Sequence, residues 1–229
     1  MKEYFYKKEY KYMYLGWFSY SFAYTLIETY GTVMLYKNGM PLWLILLVYG
    51  LRFGITGFLT PLFITISSRF GVAKCNLISN IFGILSSFII INNTNTYKTL
   101  FLFVIVMGFN GLSNPTTNAL ASKYVDKDYR GRFNSFFKIS KISGQVIGTV
   151  LVTWGVLTNN NIVLFTIIII FFLLQYIFIK RIDYKPQNKT SAFKSSIKYI
   201  LKSKNRYKII YALRTNHIIE RQFVPLYLY

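Results

Sequence analysis

Seven side chains able to do chemistry sit inside stretches otherwise too apolar for water: Glu28, Arg52, Asn110, Asn114, Lys138, Lys141 and Gln145. If those stretches are helices, Glu28 lies about 12 Å and Arg52 about 17 Å from the same end of the bundle. The two can therefore pair. Alone near the middle of a bilayer, each would cost about 2.5–3.5 kcal/mol. A carboxyl group in that position can carry a proton, and a guanidinium can contact an anion. The other reading is a structural ion pair that locks two helices. Asn134, Lys138, Lys141 and Gln145 fall at i, i+4, i+7 and i+11, one stripe on a helix. The stripe either walls a cavity that favours anions or consists of lysines snorkelling to headgroups. Asn110 and Asn114 also share a helix face, to contact a solute or to bond a neighbouring helix. Pro115 frees a backbone carbonyl near Gly111 and kinks its helix.

The elements that must position these groups follow from hydropathy. Of 229 residues, 53% are hydrophobic, and several apolar runs reach the roughly 20 residues that span a bilayer core. The chain reads as all-α, a polytopic membrane helix bundle. Six spans are expected: about Met13–Tyr36, Pro41–Ile66, Cys75–Ile91, Thr99–Ser122, Phe133–Leu157 and Ile162–Ile179. Pro41 suits a helix start, and Gly50 and Gly54 stand at the spacing that lets two helices approach closely. Residues 67–74 read as a loop. Ser21, Thr25, Glu28 and Thr32 share one face of the first helix, and Arg52, Thr56 and Thr60 one face of the second.

Three regions follow: a six-helix bundle over residues 1–180, a basic linker with a short amphipathic helix over 181–208, and the start of a seventh helix over 209–229. The linker, with Lys180, holds ten Lys and Arg against one acid, as suits an anionic leaflet. The net charge of +20 would suggest nucleic acid in a soluble protein. Here the charges sit at the ends of apolar runs and orient them. With a cytoplasmic N-terminus, twenty basic residues fall inside and two, Lys37 and Lys98, outside. The expected location is the plasma membrane, the cytoplasmic membrane of a bacterium, with no cleavable signal peptide. Helices one, two, four and five carry the charges and amides, and three and six carry almost none. Three and six are therefore expected outermost, with the other four around a wet interior.

Two three-helix repeats, short basic loops after helices two and four and a long basic segment after helix six resemble the N-terminal half of a major facilitator superfamily transporter. Ser68-Arg69-Phe70-Gly71 matches that family's Asp-Arg-x-Gly signature at Arg69 and Gly71 and departs at Ser68, as it does at Val72 and Ala73. Asp128-Tyr129-Arg130-Gly131-Arg132, followed by Gly144 and Gly148, resembles the family's helix four–five region. The resemblance implies two inverted three-helix repeats and alternating access about a central site. It makes Arg69, Gly71, Asp128, Arg130 and Arg132 candidates for a cytoplasmic latch. It implies secondary active transport of a small polar solute, which the cationic side chains favour being anionic, with a coupling proton. Helix four lacks the intramembrane Arg, and helix five the Gly-Pro pair, of proton-driven drug exporters. One half lacks the second cavity wall, so the chain is expected to be truncated, completed by a C-terminal half or by a second copy, or else a non-transporting fragment or scaffold.

No enzyme, cofactor or metal site is expected. One cysteine, Cys75, allows no intrachain disulfide, and one histidine, His217, allows no multi-histidine site. Gly111-Leu112-Ser113-Asn114 with His217 is similar to the Gly-x-Ser-Gly and His of rhomboid-type intramembrane proteases, but Asn114 stands where the second Gly belongs. Lipid and a small solute are the expected partners; nucleic acid is not.

Overall fold

The computed structural model describes residues 8–92, 97–113, 117, 130–158 and 160–182. Six helices cover them: α1 (Lys8–Lys37), α2 (Leu42–Phe70), α3 (Val72–Ile91), α4 (Tyr97–Asn110), α5 (Arg130–Thr158) and α6 (Asn161–Lys180). The expected fourth helix extends past Asn110 into residues only partly described, and the linker and seventh helix lie outside them. Leu42–Thr60, Val72–Ile91, Gly131–Thr158 and Asn161–Lys180 are long and apolar enough to cross a membrane. Tyrosines, threonines and Glu28 keep α1 off that set, although its 30 residues reach about 45 Å.

Two glycines make the tight turns. After α1 the N–H of Gly39 bonds to the carbonyl of Tyr36, and that of Met40 to Leu35, which is the glycine-ended helix stop. Gly39 has φ 80°. Pro41 follows as the N-cap of α2, at φ −66° and ψ 144°. The expected 67–74 loop is absent: α2 continues through Arg69 and Phe70, and Gly71 alone separates it from α3. Gly71 adopts φ 91° and ψ 148°, a region essentially closed to side chains.

The helices pair across the repeats. α1 packs on α5 and α6, and α4 packs on α2 and α3. Each repeat's first helix thus lies against the second and third helices of the other, and α3 meets α6 between them. Glycines permit the close seams. A Cβ on Gly144 would stand 2.7 Å from the carbonyl oxygen of Phe18, and one on Gly148 3.2 Å from that of Phe22. In the matching seam, a Cβ on Gly108 would meet Ile55 at 2.7 Å, and one on Gly111 would meet Thr56 at 2.7 Å. The contacts ascend together in both seams, so α1 runs parallel to α5 and α2 parallel to α4. By contrast Gly50 and Gly54 have nothing within 4 Å. The close approach expected there belongs to the other glycine pairs.

The expected layering is also corrected. α1 is the centre: every residue from Ser19 to Val33 is buried. Tyr20, Tyr24 and Tyr30 are tolerated there because partners on neighbouring helices hold their hydroxyls, and Thr32 bonds back to the Glu28 carbonyl of its own helix. α3, expected outermost, packs on α1, α2, α4 and α6 and buries Asn76, Ser79, Asn80, Ser86 and Ser87. α6 buries Gln175. Uncharged is thus not the same as lipid-facing. A small cluster of Tyr10, Met13, Val72, Phe133, Ile179 and Ile182 closes the bundle at the end where Gly71 lies.

Candidate functional site

Glu28 of α1 and Arg52 of α2 meet. Arg52 Nη2 donates to Glu28 Oε1 at 2.9 Å, with the side chains 0% and 4% exposed. The same nitrogen donates to the Tyr24 hydroxyl at 2.5 Å. The Glu28 backbone is held as firmly as its carboxylate: its carbonyl accepts from the Tyr49 hydroxyl at 2.9 Å and from Thr32 Oγ1 at 2.8 Å. Rings enclose the guanidinium, with Cζ 4.2 Å from the Phe53 centroid and 5.2 Å from those of Tyr24 and Tyr49. Ring faces stabilise a desolvated cation. Yet Arg52 Nε and Nη1 have no acceptor among the described residues. Of five N–H donors, three are unspent.

A second polar cluster begins one turn away. Tyr24 stacks on Tyr20 at 5.3 Å, and the Tyr20 hydroxyl donates to the Asn110 carbonyl at 3.2 Å. Ser79 Oγ donates to the same carbonyl at 2.6 Å, and Asn110 Nδ2 returns a bond to the Ser79 carbonyl at 3.0 Å. Asn80 Nδ2 reaches the Phe172 carbonyl at 2.9 Å, joining α3 to α6. Further toward the Gly71 end, Ser113 Oγ donates to Asn76 Oδ1 at 3.0 Å and accepts from Gln175 Nε2 at 2.9 Å. Asn76 Nδ2 donates to Thr117 Oγ1 at 3.2 Å. Asn110 therefore bonds a neighbouring helix. Asn76 and Gln175, which bond to Ser113 Oγ, carry amides, which cannot act as a general base, and His217 lies outside the described residues.

The family model for the Major Facilitator Superfamily matches residues 11–227. The chain belongs to the Major Facilitator Superfamily. It is thus a multi-pass membrane protein of a family of transporters. No curated protein matches it.

Within this major facilitator chain the predicted residues do not form one group. Glu28 and Arg52 are together; Asn110 lies in the amide ladder. On α5, Lys138 is exposed, and Lys141 and Gln145 are half-buried. By helical geometry their stripe sits roughly 80° around α5 from the glycine face that docks on α1. Ser140 Oγ donates to the Tyr14 carbonyl at 2.6 Å, which sets the α1–α5 register. That register places Lys141 about thirteen residues, roughly 20 Å, along the bundle from Glu28. Arg69 and Arg132 are exposed beside Gly71 and at the start of α5. Asn114, Pro115, Asp128 and the Arg130 side chain lie outside the described residues. Missing from the sequence-based set are Tyr24, Tyr49, Asn76, Ser79, Asn80 and Gln175. The α3 amides were detectable: Asn76, Ser79, Asn80 and Gly83 recur at helical spacing as one small, polar face.

Proposed function

We propose that this chain is a secondary transporter that moves a small polar solute, anionic rather than neutral, by rocking-type alternating access. An ion gradient or exchange against another solute supplies the drive. The second cavity wall comes from a further six-helix half or from a second copy, and the N-terminus is cytoplasmic. The observation that supports an anion is Arg52, a fully buried cation with three N–H donors lacking an acceptor among the described residues. Such a group has a fixed charge and a planar fork suited to oxyanions. Lys138, exposed, and Lys141, half-buried, supply a second positive feature on α5.

The test is uptake by proteoliposomes, using labelled small carboxylates, phosphate and neutral sugars. An anion should accumulate above protein-free vesicles, and Arg52→Gln should abolish that uptake. Sugar uptake that survives Arg52→Gln, or no uptake of any of the three classes, would overturn the reading.

A further inference from the structure

We infer that the outer seam between α3 and α6 binds an anionic glycerophospholipid, its phosphate between Lys74 and Lys180 and its acyl chains along the two helices. The inference is independent of the transport reading. α3 and α6 pack together. Val72 at the start of α3 shares an apolar cluster with Ile179 and Ile182 at the end of α6, so these two helix ends stand at one level. Lys74 and Lys180 are both exposed there. Lys74 stands about four turns before Phe88, on the same side of α3. The Phe88 ring meets Phe165 of α6 at 6.3 Å. Tyr176 shares the Phe165 face at i+11, and the Lys180 ammonium lies 5.8 Å from the Tyr176 ring centroid. Lys180 is thus held on the α3 edge of α6. Arg181 leans to the opposite edge, with its guanidinium 5.6 Å from the Tyr12 ring of α1.

Each helix turns an apolar stripe outward behind its lysine. Ile78, Ile81 and Leu85 on α3, and Ile170, Leu173 and Ile177 on α6, are exposed. From Lys74 to Leu85, and from Lys180 back to Ile170, is about 15–17 Å. One leaflet of a roughly 30 Å hydrocarbon core is about that deep. A lipid with its head at the lysines therefore ends its chains where the stripes end, and two stripes suit two chains. Charge selects the head. Neither lysine forms an ion pair among the described residues. A snorkelling lysine reaches away from the apolar layer toward water. Lys180 does the reverse: its ammonium turns back over Tyr176, a full turn toward the stripe. A cation drawn to the hydrocarbon edge is costly unless an anion meets it. A lipid phosphate, anchored by its own chains, meets it at that depth, and basic pockets between membrane helices bind such heads. Tyr176 adds an O–H donor to the two ammonium groups.

The experiment is photocrosslinking of the full chain in phosphatidylcholine vesicles, with a phosphatidylglycerol probe carrying a photoreactive group in mid-chain. Crosslinks should map to Ile78–Leu85 and Ile170–Ile177, saturate with probe, and be competed by unlabelled phosphatidylglycerol. Lys74→Gln with Lys180→Gln should weaken probe binding roughly thirtyfold, at about fivefold per cation. Lys74→Arg with Lys180→Arg keeps both charges and should stay within about twofold. Lys11 shares the α1 face of Phe18, on which Gly144 of α5 docks. Lys11→Gln with Arg132→Gln therefore removes the same charge from the α1–α5 side, and should also stay within about twofold, since screening shortens its reach. Equal loss in both charge-removing variants would replace the site with a diffuse basic surface. Crosslinks spread evenly over the exposed faces of α2 and α5, or equal crosslinking by a phosphatidylcholine probe, would overturn it outright. Displacement of the probe by inorganic phosphate, beyond that by chloride at equal ionic strength, would make the seam a soluble-anion site and sink the lipid assignment. The crosslink map uses the unmodified chain, so the test stands even if a variant fails to fold.

Discussion

The Glu28–Arg52 cluster and the amide ladder of α3, α4 and α6 solve the same problem in opposite ways. Both bury polar groups in an apolar bundle. The ladder does it with neutral side chains, most of which bond across a helix seam, as Asn110 and Ser79 do reciprocally. The cluster does it with two charges and leaves three of the guanidinium's five donors without an acceptor among the described residues. Neutral amides fix helix positions with little at stake if one bond fails. A charged pair with spare donors is costly to hold and easily turned over to a competing anion. The contrast separates a scaffold from a candidate site.

The sharpest way to break this contrast is to remove one charge. Arg52→Met should cost about 3–5 kcal/mol in thermal or denaturant unfolding in lipid or detergent, because it strands Glu28. The loss should shrink as pH falls, since a protonated Glu28 has no charge left to pair. Adding Glu28→Leu to Arg52→Met should restore stability to near the parent or above it. A double variant as unstable as the single would show that the charges are structural after all. In the ladder the largest effect should come from volume. A Cβ on Gly83 would stand 2.6 Å from the Phe172 ring, so Gly83→Ala should cost about 1–3 kcal/mol by overpacking.

These sites also show what the sequence can reveal. The six apolar runs, and depths of Glu28 and Arg52 close enough for the two to pair, follow from one-dimensional spacing and carry into the structure. Gly71 stood out as a motif residue, but its physical role, a one-residue reversal at positive φ, needs the backbone. The exchange of partners between repeats involves helices far apart in sequence, so no local pattern encodes it. The central place of α1 was obscured because tyrosine scores as half-polar, whereas here Tyr20, Tyr24, Tyr30 and Tyr49 are buried with their hydroxyls in reach of partners. Asn76, Asn80 and Gln175 are isolated amides within long apolar runs, too few to change the hydropathy by which α3 and α6 read as almost wholly apolar.

Single ladder bonds should be worth much less than the pair. Ser113→Ala removes the bond to Asn76 and leaves Gln175 Nε2 without that acceptor. Interhelical bonds in membranes average about 0.6 kcal/mol and reach about 1.7, so unfolding should shift by that little, with solute uptake unchanged. A loss of several kcal/mol would make the ladder as critical as the charged pair.

The smallest stability effect should come from Lys141, on neither side of the contrast. Its side chain is half-buried at the flank of the α1–α5 seam, where its charge can reach water or headgroups. Lys141→Gln should leave unfolding within about 0.5 kcal/mol of the parent. If the α5 stripe attracts the anion toward Arg52, the variant should still lower uptake at low salt, and the difference should fade as ionic strength rises and screening shortens its reach. Unchanged uptake at every salt concentration would assign the lysine to the headgroups. It would leave Arg52 as the cation on which solute choice turns, and so narrow the site to the α1–α2 contact.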